Sequence, residues 1–254
     1  MHCSSGIALG VAVLVAAFAG HARAQTVDEV VAKNLEARGG VDKLKALTTA
    51  KIIGDVVQQN TKIHVVTYAK RPNLMRRDVE SPRPPGMPGP AGGTMKSVVA
   101  FDGTNVWMTN SLLGDAPQAI TGPQADLTRQ DADFDSVLLD YKEKGHKVDL
   151  IGTETVDGKK AYHLKITKKT GFVQDYYLDA DTGLELRTSA VVDQNGERVD
   201  IRTDLSNYRT VDGLMMPFTM KQSINGKPVA EVTIASWEVN QPIDDALFRM
   251  PAKQ

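Results

Sequence analysis

Leu184-Glu185-Leu186-Arg187-Thr188-Ser189-Ala190-Val191-Val192-Asp193-Gln194-Asn195-Gly196-Glu197-Arg198-Val199-Asp200-Ile201-Arg202-Thr203-Asp204-Leu205 reads with period two on both sides of an Asn-Gly pair. Leu184, Leu186, Thr188, Ala190 and Val192 alternate with Glu185, Arg187 and Ser189. Past the pair, Val199, Ile201, Thr203 and Leu205 alternate with Asp200, Arg202 and Asp204. A strand sends successive side chains to opposite faces, so each arm has one apolar and one wetted face. Asn-Gly tolerates the positive φ of a tight turn. The stretch is an antiparallel hairpin, wetted on one side.

Working outward, the same signals recur. Tyr162, Leu164 and Ile166 alternate with His163, Lys165 and Thr167. Asp102-Gly103, Asp157-Gly158, Asp212-Gly213 and Asn225-Gly226 also punctuate such runs. Further strands are predicted over 50–59, 62–70, 73–80, 95–101 and 104–109. Two regions read as helical instead. Thr26-Val27-Asp28-Glu29 forms a capping box, followed by Val30, Val31 and Leu35 at helical spacing, and Gly39-Gly40 stops the helix. Val41 to Leu47 adds one or two further turns. Another helix is expected within 125–144, with Leu127, Phe134, Val137, Leu138 and Tyr141 on one side. Residues 81–93, SPRPPGMPGPAGG, cannot sustain a strand or helix and read as a projecting loop with Met87 near its tip. That loop is either an inert insertion or a contact with a membrane or partner.

At the start of the chain, Ile7 to Gly20 is almost wholly apolar and small, and Ala22-Arg23-Ala24 gives a small-x-small cleavage pattern. Residues 1–24 are therefore read as a signal peptide, with Gln25 the new N-terminus. The other reading is an uncleaved anchor, although the run is short for crossing a bilayer. Export to the periplasm as a soluble protein follows. The one cysteine, Cys3, precedes the cleavage point, so residues 25–254 hold no disulfide, thiolate ligand or cysteine nucleophile. We expect them to form one domain stabilised by a hydrophobic core.

The net charge of −1 offers no basic surface for nucleic acid. The chain lacks G-x-S-x-G, H-E-x-x-H, P-loop and G-x-G-x-x-G patterns, and His64, His146 and His163 show no ligand spacing. Asp133, Asp135, Glu143, Asp179 and Asp181 read as solvated faces and turns. We expect no enzyme, metal or cofactor. A sheet with few helices leaves an apolar concavity suited to apolar ligands. Met215, Met216 and Met220, in or near one strand, either adapt to variable cargo or fill gaps in the core. Candidates for lining the cavity are Val99, Phe101, Trp107, Leu138, Leu186, Met216, Phe218 and Met220.

Three local patterns carry a family resemblance. Lys70-Arg71-Pro72-Asn73-Leu74 looks like a K-R-P-N-L strand junction. Asp102-Gly103 with Trp107 and Asn110 looks like a D-G-x-x-x-W-x-x-N hairpin. Phe248-Arg249-Met250-Pro251 looks like an F-x-x-P close. Together they resemble the periplasmic outer-membrane lipoprotein carriers, the LolA-like family and its broader lipoprotein-sorting relatives. The chain is longer than a typical carrier, and its 81–93 loop is extra. The resemblance implies a mainly β (α+β) fold: an open, incomplete antiparallel β-barrel with helices covering the concave face. It also implies that the acyl chains of a lipoprotein or lipid bind inside, with membrane-bound donor and acceptor partners. Arg71 then becomes a latch holding the helical lid to the sheet. A monomer is expected. The alternative on the same fold is a lipid-sensing or protein-interaction module of the cell envelope.

Overall fold

The structure, a computed structural model, describes residues 25–84, 86–87, 92–114, 116–194 and 196–252. The expected signal peptide lies outside these residues, as do five positions of the 81–93 loop and Asn195. Helix α1, Val27–Ala37, begins at the expected capping box. The Glu29 amide donates to Thr26 Oγ1 at 3.2 Å, and the Thr26 amide donates to Glu29 Oε2 at 2.8 Å. It stops at Gly39, whose φ of +119° suits glycine alone. A Cβ there would also run into the carbonyl of Gly213. Helix α2 follows at Val41–Ala46.

From there the period changes and the chain meanders through β1 Thr49–Gln58, β2 Thr61–Lys70, β3 Leu74–Pro82, β4 Thr94–Phe101, β5 Val106–Asn110 and β6 Gln118–Ile120. After helix α3, Pro123–Asp131, a second meander runs through β7 Lys147–Val156, β8 Lys159–Thr167, β9 Val173–Asp179, β10 Glu185–Gln194 and β11 Glu197–Ser206. A small separate hairpin, β12 Arg209–Val211 with β13 Leu214–Met216, interrupts it. Then β14, Thr219–Ile224, pairs back onto β11, and β15, Lys227–Val239, pairs with both β14 and β1. The result is one antiparallel sheet of 13 strands in the order β6-β5-β4-β3-β2-β1-β15-β14-β11-β10-β9-β8-β7. Its end strands β6 and β7 do not meet, so it is an open half-barrel with helices against the concave face.

One element differs from expectation. The helix within 125–144 is only α3, and residues 132–146 form successive turns. Asp140 at φ +51° and Gly145 at φ +74° break any continuation. Leu127 consequently faces solvent at 61% exposure, while Val137, Leu138 and Leu139 turn inward and are buried. These three join Val30, Val31 and Leu35 of α1 above Leu164, Ile166 and Leu178 of the sheet. Burial of a Leu side chain there contributes roughly 2 kcal/mol. A smaller cluster sits under α3, where Ala125 packs with Met75, Phe101 and Val106.

Two turn aspartates give the fold an acid-sensitive element. Asp102 Oδ1 accepts from the amides of Thr104 at 2.9 Å and Asn105 at 2.6 Å. Asp179 Oδ1 accepts from Asp181 at 2.9 Å and Thr182 at 3.0 Å, and Lys159 lies 3.4 Å from its other oxygen. Burial pushes both carboxyls up, but the donors outweigh it and hold them below the usual 3.8. A depressed carboxyl contributes stability that is present above its unfolded value and lost as pH falls through the folded one. Unfolding midpoints should therefore decline below about pH 3.8. The double variant Asp102→Asn/Asp179→Asn should be less stable at neutral pH and show a flatter acid limb. An unchanged acid limb would place the titrating groups elsewhere.

Candidate functional site: an apolar cavity under a latched cover

The alternating residues of the central strands that face inward do not meet the cover everywhere. Ala50, Ile52 and Val56 on β1, with Val65 on β2 and Val232 and Ile234 on β15, line a cavity of about 610 Å³. Residues 131–136, Leu139 and the α2 residue Leu44 roof one end of it. The walls are mainly aliphatic, and the polar groups are few. Arg38, Arg77 and Gln222 come from the scaffold, and Asp131, Asp133 and Asp135 from the cover. A space of this size, apolar with a few placed polar groups, is typical of small-ligand sites. Gly54 also lines it, at a shift of register in the β1–β15 pairing. A Cβ at Gly54 would stand 2.6 Å from the Thr233 carbonyl, so glycine is required for the two strands to approach.

Arg38 is held rigidly at the cavity wall. Its Nη1 pairs with Glu185 Oε1 at 3.0 Å, and Glu185 is almost fully buried. Tyr208 OH donates to the Glu185 carbonyl at 2.9 Å and reaches its carboxylate at 3.1 Å. Burial first, and the Glu185 charge second, push the Tyr208 phenol well above its ordinary value. The phenol therefore stays neutral where it caps the Arg38–Glu185 pair. Breaking it would leave a buried charge unpaired, which is strongly destabilising.

At the covered end, Arg71 lies between β2 and β3. Its Nε donates to the Leu47 carbonyl at 3.0 Å and its Nη2 to the Leu44 carbonyl at 3.3 Å, at the end of α2. Its Nη1 donates to Asp135 Oδ2 at 2.7 Å, and its guanidinium carbon stands 5.0 Å from the centre of the Phe134 ring. One side chain thus ties the sheet to both parts of the cover.

The sequence-chosen apolar residues scatter. Met216 and Met220 line the cavity. Leu138 and Phe218 are buried in the main core, and Phe101 in the smaller cluster under α3. Val99 is half-buried on β4, and Leu186 is half-buried at the shift of register between β10 and β9. Trp107 is 1% exposed, and its Nε1 donates to the Phe248 carbonyl at 2.8 Å. It pins the C-terminal segment instead of lining the cavity. Met87 is 42% exposed in the 81–93 loop. Sequence reasoning missed Ile52, Val56, Val65, Val232, Ile234 and Trp237. The alternation Ala50, Ile52, Gly54, Val56 was the available signal.

Among the described residues, His64 and His163 lie on strands β2 and β8, and His146 directly before β7. His64 pairs with Asp55 at 3.0 Å, and His163 lies between Glu154 at 2.7 Å and Asp175 at 2.8 Å. His146 Nδ1 accepts from the Lys169 amide at 3.1 Å. Among the described residues no group of three or more His, Cys, Asp or Glu is placed to hold a metal ion.

No family model and no curated protein matches the sequence. Solved structures do match the fold. A DUF1329 family protein from Desulfovibrio piger superposes with a TM-score of 0.57 at 18% identity, covering 90% of this chain and 99% of the other. A putative outer membrane lipoprotein-sorting protein domain from Vibrio parahaemolyticus gives 0.56 at 12% identity, with 87% and 94% covered. A LolA superfamily protein from Nitrosomonas europaea gives 0.54 at 13% identity, with 89% and 98% covered. At such identities the likeness is one of architecture, and the architecture shared by all three is the open half-barrel described above: this chain has a LolA-like fold.

Proposed function

We propose that the chain is an exported carrier that takes the acyl chains of a lipoprotein or lipid into the half-barrel for transfer towards the outer membrane. The observation that carries this reading is the unfilled aliphatic cavity of about 610 Å³ between the sheet and its cover. A core serving stability alone would close such a space, because unfilled volume costs packing energy. Each CH₂ moved from water into it gains about 0.8 kcal/mol, so a partly buried acyl chain offsets much of the cost of association. The mainly aliphatic lining supports a binding role, and we read no catalysis. Arg71 serves as the latch that keeps the cover shut, and Met216 and Met220 supply adaptable wall. Donor and acceptor are membrane-bound, and the carrier acts as a monomer.

Delipidated protein should bind a fluorescent fatty-acid analogue at micromolar concentration, and lipid or lipopeptide should displace it. If neither binds, the carrier reading fails and a protein-interaction role on the same fold takes its place. Export makes a separate prediction. Intact mass of periplasmic protein should correspond to a chain starting at Gln25, and unfolding should be indifferent to reductant because Cys3 has been removed. A mass retaining residues 1–24 would sink the export reading.

A further inference from the structure

The two rims of the half-barrel differ. One rim gathers the turns β1–β2, β3–β4, β5–β6, β8–β9, β10–β11 and β14–β15, as the antiparallel pairings dictate. Ten large apolar side chains are exposed among the described residues, and seven of them fall at this rim. Leu112 and Leu113 follow β5, Met87 lies beyond β3, and Val57 is next to last in β1. Val173 starts β9 and Ile224 ends β14. Val191 lies past the last β10–β9 pair, Ser189 with Asp175, and so stands level with Val173. The turns of the opposite rim carry none of the ten. Isolated exposed apolar residues are ordinary on a protein surface. Their concentration on one edge is not.

Charge follows the same division. Among the described residues, the turn-bearing rim presents Lys168, Lys169, Arg198 and Lys227, which make no ion pair, against Asp193 and Glu197. Lys168 Nζ lies 5.7 Å from the centre of the Phe172 ring, an aromatic beneath an ammonium. The opposite rim carries Asp102, Asp157 and Asp181, and of its cations Arg71 is paired with Asp135 and Lys159 with Asp179, while Lys160 makes no ion pair. Apolar tips interleaved with unpaired cations suit the surface of an anionic phospholipid bilayer, where tips enter the headgroup region and ammonium groups meet phosphate. A folded protein partner of ordinary composition would not require that excess of unpaired cations. The cavity also runs towards this rim, since Val56, Val65 and Gln222 line it and lie near the turns of their strands. Arg71 and the cover close its other end.

We propose that this rim is a docking edge for an anionic lipid surface, which brings the uncovered end of the cavity against the bilayer. Docking stands apart from what the cavity holds, since it uses turn residues that do not line it. The test is co-sedimentation with two kinds of vesicle, one of phosphatidylethanolamine with phosphatidylglycerol, the other of phosphatidylcholine alone. Wild-type protein is expected to sediment with the anionic vesicles at low salt and to be released as salt screens the cations. Leu112→Asp/Leu113→Asp and Lys168→Glu/Lys169→Glu should each weaken that binding about tenfold or more. Both should keep the wild-type melting temperature and fatty-acid binding. Lys159→Glu/Lys160→Glu, at the opposite rim, should bind vesicles as wild type does. Protein remaining in the supernatant with anionic vesicles at low salt would overturn the proposal and leave the rim to a protein partner. Equal loss in rim and control variants would overturn it too, by assigning the attraction to overall charge.

Discussion

Arg71→Leu is expected to speed release of a bound acyl chain at least several-fold while leaving the melting temperature nearly unchanged. The guanidinium makes two hydrogen bonds to the end of α2 and one to Asp135 in the cover. Hydrogen bonds to a charged group contribute roughly 1.5–3 kcal/mol each, and about 1.4 kcal/mol shifts a two-state balance tenfold. Solvent reaches 30% of the Arg71 side chain and 20% of Asp135, so the low end of that range applies. Leucine also gives up the guanidinium's position over Phe134, while Lys144, 3.9 Å from Asp135, remains to face the orphaned carboxylate. The core beneath is untouched. Loss should therefore fall on the closed form and not on the folded state. Arg71→Lys should restore little, because an ammonium cannot span two carbonyls and a carboxylate with one planar fork. Stopped-flow release of a fluorescent acyl probe measures the effect. Release kinetics unchanged in a well-folded Arg71→Leu protein would make Arg71 an ordinary strand-end residue.

Trp107→Ala should produce a large loss of stability, about 3–5 kcal/mol. By strand alternation Trp107 faces away from Val106, which packs in the cluster under α3. The C-terminal segment covers it there. Trp107 Nε1 holds the Phe248 carbonyl, Arg76 Nη1 holds the Leu247 carbonyl at 3.0 Å, and Phe248 is fully buried. Lys70 Nζ fastens the same segment at the Ile243 carbonyl, 2.8 Å away. Alanine would remove the ring and the donor together. Trp107→Phe keeps most of the bulk and should cost only about 1 kcal/mol more than its lost packing, the worth of a neutral hydrogen bond. Thermal melts and limited proteolysis after β15 separate the two. Equal stability of both variants would mean that the hydrogen-bonded clasp, and not the bulk of the ring, carries the effect.

Local chemistry made the hairpins legible and left the cavity largely hidden. Asp157, Asp212 and Asn225 adopt φ near +50°, and the following glycines lie between +74° and +81°. The turn dipeptides therefore announce themselves in the sequence. The capping box at Thr26 is equally local. The stretch 132–146 misled because Val137, Leu138 and Tyr141 are spaced as a helix would space them, whereas Asp140 breaks the chain direction between them. The cavity escaped for a different reason. Its floor is where β1 meets β15, a pairing between residues such as Val56 and Val232 that no turn signal links. Three of the eight candidates, Val99, Phe101 and Trp107, belong to β4 and β5. These lie in the wing of the sheet, so Phe101 and Trp107 were assigned to the ligand when they serve the packing of α3 and of the tail.

The same pairing also sets an order in time. Each meander can assemble from neighbouring strands as it is synthesised or emerges, but the two halves are joined only by β15, near the end of the chain. Contacts so distant in sequence are slow to form, because loop closure must precede them. Until residue Val239 is free, β1 has β2 on one side and an unsatisfied backbone edge on the other. A polypeptide crossing a membrane N-terminus first would therefore be held from completing its fold until almost all of it had crossed. On the proposed export route, a keystone strand that follows all the strands it joins keeps the passenger thin.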